Sequence, residues 1–468
     1  MLTYSFENRN GESLYGHLYQ CIKKDILSGA LAPGTKLPSK RSFADHLGVS
    51  VVTVENAYFQ LQSEGYLYSR PKSGFYVSAI RNTQPTAPAQ EPAECPAAPA
   101  DPDFRINLFS NRIAAENFPF PLWAKLMRET LSGRQTALME PSPAAGIPEL
   151  RQAIADHLRQ FRSMNVNADR IIVGAGTEYL YSLLIQLLGF QTTYAVETPG
   201  YQKLSRIYES HCARCVRIPM DEAGIVISQL EASHADAAHI SPSHHYPTGM
   251  ITPISRRYEL LAWANREAGR YIIEDDYDSE FRLSGKPIPT LQSIDSGNRV
   301  IYMNTFTKTL SPTIRISYMV LPEPLMKRFQ RELGFYACTV SNFEQYTLAR
   351  FIRDGHFERH INRMRTHYRQ LRDGLISAIK ASDLRELVQI SNADSGLHFL
   401  LRVNTALSDQ KLLQRAKEKG LGLLCLSQFY AEDVPATQHV LIISYAGLHT
   451  EDIPTAVQLL SECLLAPD

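Results

Sequence analysis

From Asn82 to Asp103 the chain reads NTQPTAPAQEPAECPAAPADPD, a stretch that neither a helix nor a strand can absorb. Proline fixes φ and removes a backbone donor, and the run carries no apolar periodicity, so it predicts an extended, semi-rigid linker. The chain of 468 residues is thereby divided into a small module at 1–81, a linker at 82–105 and a long module at 106–468. At roughly 100–200 residues per domain, two to four structural units are expected over this length. No internal repeat is visible.

Lys and Arg together number 48, matched by 48 Asp and Glu, so the formal net charge is zero. No overall basic field advertises nucleic acid, and any DNA binding has to come from a local patch. No stretch approaches the ~18 consecutive apolar residues of a membrane-spanning helix. The opening MLTYSFENRNGES is polar and has no apolar signal core. These features predict a cytoplasmic protein with no membrane partner. The seven cysteines are scattered. Cys212 and Cys215 form a C-x-x-C without the second pair a zinc site needs, and they read as ordinary reduced thiols with no metal expected.

The small module reads as three helices and a hairpin. Leu14, Leu18, Cys21, Ile22 and Ile26 recur at helical spacing, and Gly29 stops that helix. Ser39 is a plausible N-cap for a second helix bearing Phe43, Ala44 and Leu47, ended by Gly48. Ser50 caps a third, with Val54, Ala57, Tyr58 and Leu61 on one face and Gly65 at its end. The runs Tyr66-Leu67-Tyr68 and Phe75-Tyr76-Val77 then flank a basic turn, SRPKSG. Two short helices joined by a tight turn make a helix-turn-helix, whose second helix enters the major groove; the hairpin makes a wing.

The stretch from SLYGHLYQ through LPSKRSFADHLGVSVVTVENAYFQLQSEGYL to SRPKSGFYV resembles the winged-helix domain of GntR-type regulators. The resemblance implies a double-stranded DNA partner. It also implies that Ser39, Lys40, Arg41, Ser50, Thr53, Arg70, Lys72 and Ser73 lie near that DNA, the cationic and hydroxyl groups on phosphates. Val51 and Glu55 stand where such regulators often carry arginine. Val51 suits a thymine methyl, and arginine-to-guanine readout is lost there.

In the long module strand-like and helical segments alternate. This predicts an α/β domain with a mainly parallel sheet and a ligand site at the carboxyl ends of its strands. Polar residues gather at those ends. Lys308 follows Ile301-Tyr302-Met303 in a loop of hydroxyls, and lysine is the side chain that forms Schiff bases with carbonyl cofactors. A pyridoxal cofactor also needs an acid opposite its ring nitrogen. Asp275, closing YIIEDD, suits that role, and Tyr277 suits the ring oxygen. The phosphate needs donors and positive charge. Arg315, Thr305 and Thr307 can supply them, as can the backbone N–H groups of Ala175, Gly176 and Thr177 at a helix N-terminus. Each residue alone has a bland reading as surface charge, turn or cap. The joint pattern of T-F-T-K, the later Arg315 and the upstream E-D-D-Y points to pyridoxal 5'-phosphate.

TFTKTLSPTIRISYMVLP, YIIEDDYDSEF and PSHHYPTG resemble the lysine, aspartate and Pro-Thr-Gly motifs of fold-type-I aminotransferases. AVETPGY places Tyr201 where that family puts a ring near its cofactor. DGHFERHINRMRTHY is similar to a helix of one subgroup. A GntR winged helix fused to such a domain resembles the MocR/GabR regulators, which implies a head-to-tail homodimer with the cofactor site at the dimer interface. Three residues depart from the pattern. Ile442 occupies the place of the arginine that clamps a substrate carboxylate. Lys203 stands where some amino-acid-sensing members have arginine. Tyr246 precedes Pro247-Thr248-Gly249 where aminotransferases have asparagine, leaving the cofactor oxygen to Tyr277 with His244 or His245 nearby.

The expectation is a pyridoxal-phosphate-dependent transcription regulator that binds DNA through its winged helix. It senses the cofactor or an amino-compound effector and controls vitamin B6 metabolism. The alternative is an aminotransferase acting on an amino acid, against which Ile442 and the intact winged helix both count.

Overall fold

The computed structural model describes residues 2–6, 12–80, 104–109, 113–283, 285, 288–430 and 439–465. The proposed linker therefore lies, apart from Phe104 and Arg105, outside the described residues. The chain divides into two compact units, Met1–Ala100 and Asp101–Asp468.

In the first unit three helices, α1 (Leu14–Leu27), α2 (Lys40–Leu47) and α3 (Val51–Ser63), precede an antiparallel hairpin of β1 (Leu67–Arg70) and β2 (Gly74–Val77). Each helix is opened by a serine. Ser13, Ser39 and Ser50 accept the N–H groups of Gly16, Ser42 and Thr53, relieving donors that a helix start leaves unpaired. Gly48 closes α2 with φ +66°, a left-handed conformation that suits glycine, so the chain turns sharply into α3. Leu18, Ile22, Phe43, Val54, Tyr58 and Leu61 form a fully buried centre. Burying each such side chain contributes roughly 1.5–3 kcal/mol. Tyr58 satisfies its buried hydroxyl by donating to the Pro38 carbonyl at 3.1 Å. The wing turn is tighter than the basic run suggests: Ser69 pairs with Phe75 and Arg70 with Gly74, leaving Pro71-Lys72-Ser73 at the tip.

The second unit is built on an eight-stranded sheet. Its chain-order strands are β4 (Ile171–Gly174), β5 (Thr193–Thr198), β6 (Arg214–Asp221), β7 (Gly224–Ile225), β8 (Ala237–Ile240), β9 (Tyr271–Asp275), β10 (Val300–Thr305) and β11 (Ser317–Val320). A short β3 (Ile106–Asn107) precedes them. The sheet order is β4-β11-β10-β9-β8-β5-β6-β7. The five strands from β10 to β6 run parallel, while β11 is antiparallel to both its neighbours. Both faces are covered: along β10, Ile301 and Met303 join one apolar cluster and Tyr302 joins another. Double burial explains why these strands read as unbroken apolar runs.

A smaller antiparallel sheet is formed by β12 (Val388–Ser391), β13 (His398–Val403), β15 (Leu424–Cys425) and β16 (Val440–Ser444), in the order β12-β13-β16-β15. Leu441 and Ile443 of β16 face the core beneath the helices His356–Ala381 and Ile453–Leu465. Val440 and Ile442 face the other way. The short β14 (Leu421–Gly422) pairs with β3 in parallel and ties the start of the unit to this layer. The α/β architecture with a mainly parallel sheet, preceded by a winged helix-turn-helix, is thus the one the sequence predicts. Among the described residues no helix is long and apolar enough to cross a membrane.

Candidate ligand cavity and nucleic-acid-facing surface

β4, β5, β8, β9 and β10 point the same way, so the loops at their carboxyl ends converge. They enclose a cavity of about 370 Å³ whose wall includes Gly176, Thr177, Tyr201, Asp275, Tyr277, Thr305, Thr307, Lys308 and Arg315. Nine side chains or amides singled out in the sequence thus meet in one place, drawn from four separate strand ends and the start of β11.

Asp275 closes β9. One oxygen, Oδ2, accepts a 2.6 Å hydrogen bond from the Tyr181 hydroxyl. His239, at the end of β8, holds Nε2 3.6 Å from the same oxygen and Nδ1 2.7 Å from the Tyr208 hydroxyl. The other oxygen, Oδ1, is buried with no hydrogen-bond partner among the described residues. Lys308 is half-buried, and desolvation holds its ammonium below the usual lysine range, the Asp278 carboxylate opposing that shift. Thr305 is buried and its hydroxyl is already engaged: it receives the Ser317 hydroxyl at 2.8 Å and the Thr307 amide at 3.1 Å.

Arg315 adopts φ +48°, unusual for a residue with a side chain. Its guanidinium donates to Glu178 at 3.2 Å and lies against Gly176, where an added Cβ would come within 2.6 Å of Nη2. Gly176 itself has φ +89°, so both space and backbone call for glycine. Lys203 donates to the same Glu178, and this shared pairing holds the glutamate below the usual carboxylate range.

Two sequence candidates stand apart from the wall. The Ala175 amide donates to Thr339 Oγ1 at 3.0 Å, so it is not free for a ligand. His244 sits behind Tyr277, its Nδ1 2.8 Å from Asp278 Oδ2 and 3.2 Å from the Tyr277 hydroxyl. Its neighbour His245 lines the cavity instead. Burial, with His244 beside it, lowers the pKa of His245 to about 3. Glu197 lies 3.5 Å from His245 and accepts the Ser241 N–H at 3.0 Å; burial chiefly raises its pKa to about 8. Glu197, Tyr181 and His239 were not singled out in the sequence. A polar residue interrupting a buried strand, as in A-A-H-I, is the signal that could have found His239.

Tyr201 and Tyr246 meet edge to face at 6.2 Å, and Tyr246 meets Phe429 at 5.4 Å. Phe429 packs against a cluster of Leu400, Leu426, Val440 and Ile442. Ile442 is thus enclosed in an apolar layer that Phe429 joins to the ring pair Tyr246 and Tyr201. Cys212 and Cys215 are both free thiols.

In the first unit, Lys40 reaches Glu55 of α3 at 2.6 Å and lies 5.4 Å over the Phe75 ring of the wing. Arg41 and Lys72 are exposed, Lys72 with φ +57° at the wing tip. Arg70 lies over the rings of Tyr68 and Tyr76, and the Ser73 hydroxyl meets Tyr76 at 2.6 Å. Ser39 and Ser50 are spent on helix caps, and the Thr53 hydroxyl bonds Ser50 at 2.8 Å.

Residues 14–77 match the family of bacterial regulatory proteins, gntR family, and residues 105–460 match aminotransferase class I and II. The chain is 37% identical to the HTH-type transcriptional regulator YdeL of Bacillus subtilis over 96% of both chains. It is 31% identical to the probable rhizopine catabolism regulatory protein MocR of Rhizobium meliloti, covering 97% of this chain and 94% of that one. It is also 31% identical to the pyridoxine biosynthesis transcriptional regulator PdxR of Corynebacterium glutamicum, covering 94% and 93%. Among solved structures, the kynurenine aminotransferase of Pyrococcus horikoshii matches 78% of this chain and 91% of its own, with TM-score 0.66 at 22% identity, a likeness of fold. With a gntR-family domain joined to an aminotransferase class I and II domain, and relatives of the same build along almost its whole length, the chain belongs to the MocR/GabR-type transcriptional regulators.

Proposed function

We propose that this chain binds an operator in double-stranded DNA through its winged helix and holds pyridoxal 5'-phosphate in the cavity of its large unit, sensing the cofactor or an amino-compound effector there. The observation that carries the reading is the convergence of Lys308, Asp275, Tyr277 and Arg315 on one cavity in a chain that also carries the helix-turn-helix.

The residues fit the cofactor. The buried Oδ1 of Asp275, without a partner among the described residues, would be the acceptor a protonated pyridine nitrogen needs, with Tyr181 and His239 beside the carboxylate. Lys308, its ammonium disfavoured by burial, is the amine for the cofactor's aldehyde. Arg315, Thr307 and the amide of Thr177 supply charge and donors for phosphate, while the Gly176 amide is held by the Gly174 carbonyl at 2.9 Å and is not free for a ligand. Tyr277 offers a hydroxyl to the ring oxygen. When bound, the cofactor supplies an electrophilic aldehyde and an electron-withdrawing ring.

Ile442 favours sensing over transamination. An apolar side chain cannot make the bidentate grip on a carboxylate that arginine makes. The relative PdxR is named for pyridoxine biosynthesis, which supports a link to vitamin B6 metabolism. As a regulator acting on the chromosome the protein works in the cytoplasm, and we take it to act as a head-to-tail homodimer.

The test is binding of the full chain to DNA from upstream of its own gene, with and without pyridoxal phosphate. Tight, salt-sensitive binding that shifts with cofactor, the shift being lost in Lys308→Ala, is the expected result. Cofactor uptake with no specific DNA binding overturns the reading.

A further inference from the structure

The exposed face of α3 differs chemically from its surroundings. Val54, Ala57, Tyr58 and Leu61 are buried in the core of the unit, while Val51 is 38% and Val52 61% exposed. Both valines belong to the first turn, the part of a recognition helix that meets base edges. The polar groups beside them are committed elsewhere. The Thr53 hydroxyl bonds Ser50, and the Glu55 carboxylate bonds Lys40 at 2.6 Å. Cationic groups of the unit sit on other elements, Lys40 and Arg41 on α2 and Lys72 at the wing tip. The first turn therefore presents methyl groups, which complement a groove with a methyl in its floor.

Of the four bases, only thymine displays a methyl group in the major groove. Resting on the reading that this unit binds DNA, we propose that Val51 and Val52 are its specificity-determining residues, and that they read thymine C5-methyl groups in the operator. The bases under the first turn of α3 are then chosen by apolar contact.

The full-length protein is used to select binding sites from a random duplex library. Each thymine of the selected site is then replaced by uracil, which removes only the methyl. The expected result is a loss of about fourfold in affinity for each buried methyl, with one or two such positions per half-site. In a Val51→Ala/Val52→Ala variant the same replacements become nearly silent. Both valines are exposed, so the variant keeps its core, and its unfolding transition checks this. A wild-type protein indifferent to uracil at every thymine overturns the proposal. So does a uracil penalty that persists unchanged in the variant, since the methyl is then read by another group. Failure to retain any duplex overturns the DNA-binding reading itself, a different and recognisable outcome.

Discussion

Tyr181 donates a 2.6 Å hydrogen bond to Asp275 across the gap between the helix Thr177–Leu188 and the end of β9. It occupies one carboxylate oxygen and leaves the other, Oδ1, without a partner among the described residues. A hydrogen bond to a charged acceptor contributes about 1.5–3 kcal/mol. Removing it in Tyr181→Phe leaves Asp275 less well oriented toward the cavity. The expected outcome is a loss of roughly tenfold in pyridoxal phosphate affinity, read by absorbance titration, with unchanged secondary structure. Unchanged affinity would mean that Asp275 needs no such support.

Glu178 holds both Lys203 and Arg315 at the cavity mouth. All three are substantially exposed, so each pair is worth at most about 1 kcal/mol. Replacing Glu178 by Gln releases two cations toward any anionic ligand. Affinity for pyridoxal phosphate should rise several-fold and fall more steeply with salt than in the wild type. Weaker binding in Glu178→Gln would show that the glutamate positions Arg315 instead of competing for it.

Much of this arrangement was legible in the sequence where the cause is local. Ser39 and Ser50 could be identified as caps because a cap acts on the residues just after it. IIVGAG followed by TEYLYSLL could be divided into strand and helix because apolar runs and glycine punctuate locally. The antiparallel insertion of β11 between β4 and β10 was not legible, since sheet order is set by packing between distant segments. The same holds for His244 and His245. Adjacent in sequence and equivalent in chemistry, they are separated only by which one turns toward Asp278 and which toward Glu197. The Ala175 amide looked available because its partner, Thr339, lies far along the chain.

The pKa of Glu197 is raised to about 8, chiefly by burial, against an ordinary value of 4.5. Between these values the folded protein holds a proton that the unfolded chain has lost. Stability therefore falls as pH rises from 4.5 toward 8, and the full cost persists above 8. Glu197→Gln retains an acceptor for the Ser241 amide but has no charge to bury. The variant should match the wild type near pH 4.5 and exceed it above pH 8 by at least ~1 kcal/mol. Denaturant unfolding at both pH values decides it, and an equal difference at the two would remove burial of the charge as the cause.

Ser50 and Lys72 have separable roles. Ser50 caps α3, so Ser50→Ala should cost about 1 kcal/mol of stability in the first unit. Lys72 is exposed at the wing tip, and Lys72→Ala should leave stability unchanged. If it meets a phosphate, the slope of log affinity against log salt should shrink by about 0.9. A Lys72→Ala protein with an undiminished slope places the wing tip away from the DNA backbone.

Ile442 is enclosed by Leu400, Leu426 and Val440, with Phe429 packed against them. An aminotransferase would use arginine at this place to clamp a carboxylate, so Ile442→Arg asks whether the pocket has merely lost one residue. In this structure the layer around it is apolar, and Phe429 links it through Tyr246 to Tyr201 and the cavity lining. An arginine introduced here buries its charge among Leu400, Leu426, Val440 and Phe429, none of which can pair with it. The expected outcome is a destabilisation of about 3 kcal/mol or more in denaturant unfolding, with no gain in affinity for α-amino acids. If the variant instead folds as stably as the wild type and captures α-amino acids at micromolar concentration, the surrounding pocket is still that of an amino-acid enzyme, and the sensing reading loses its main support.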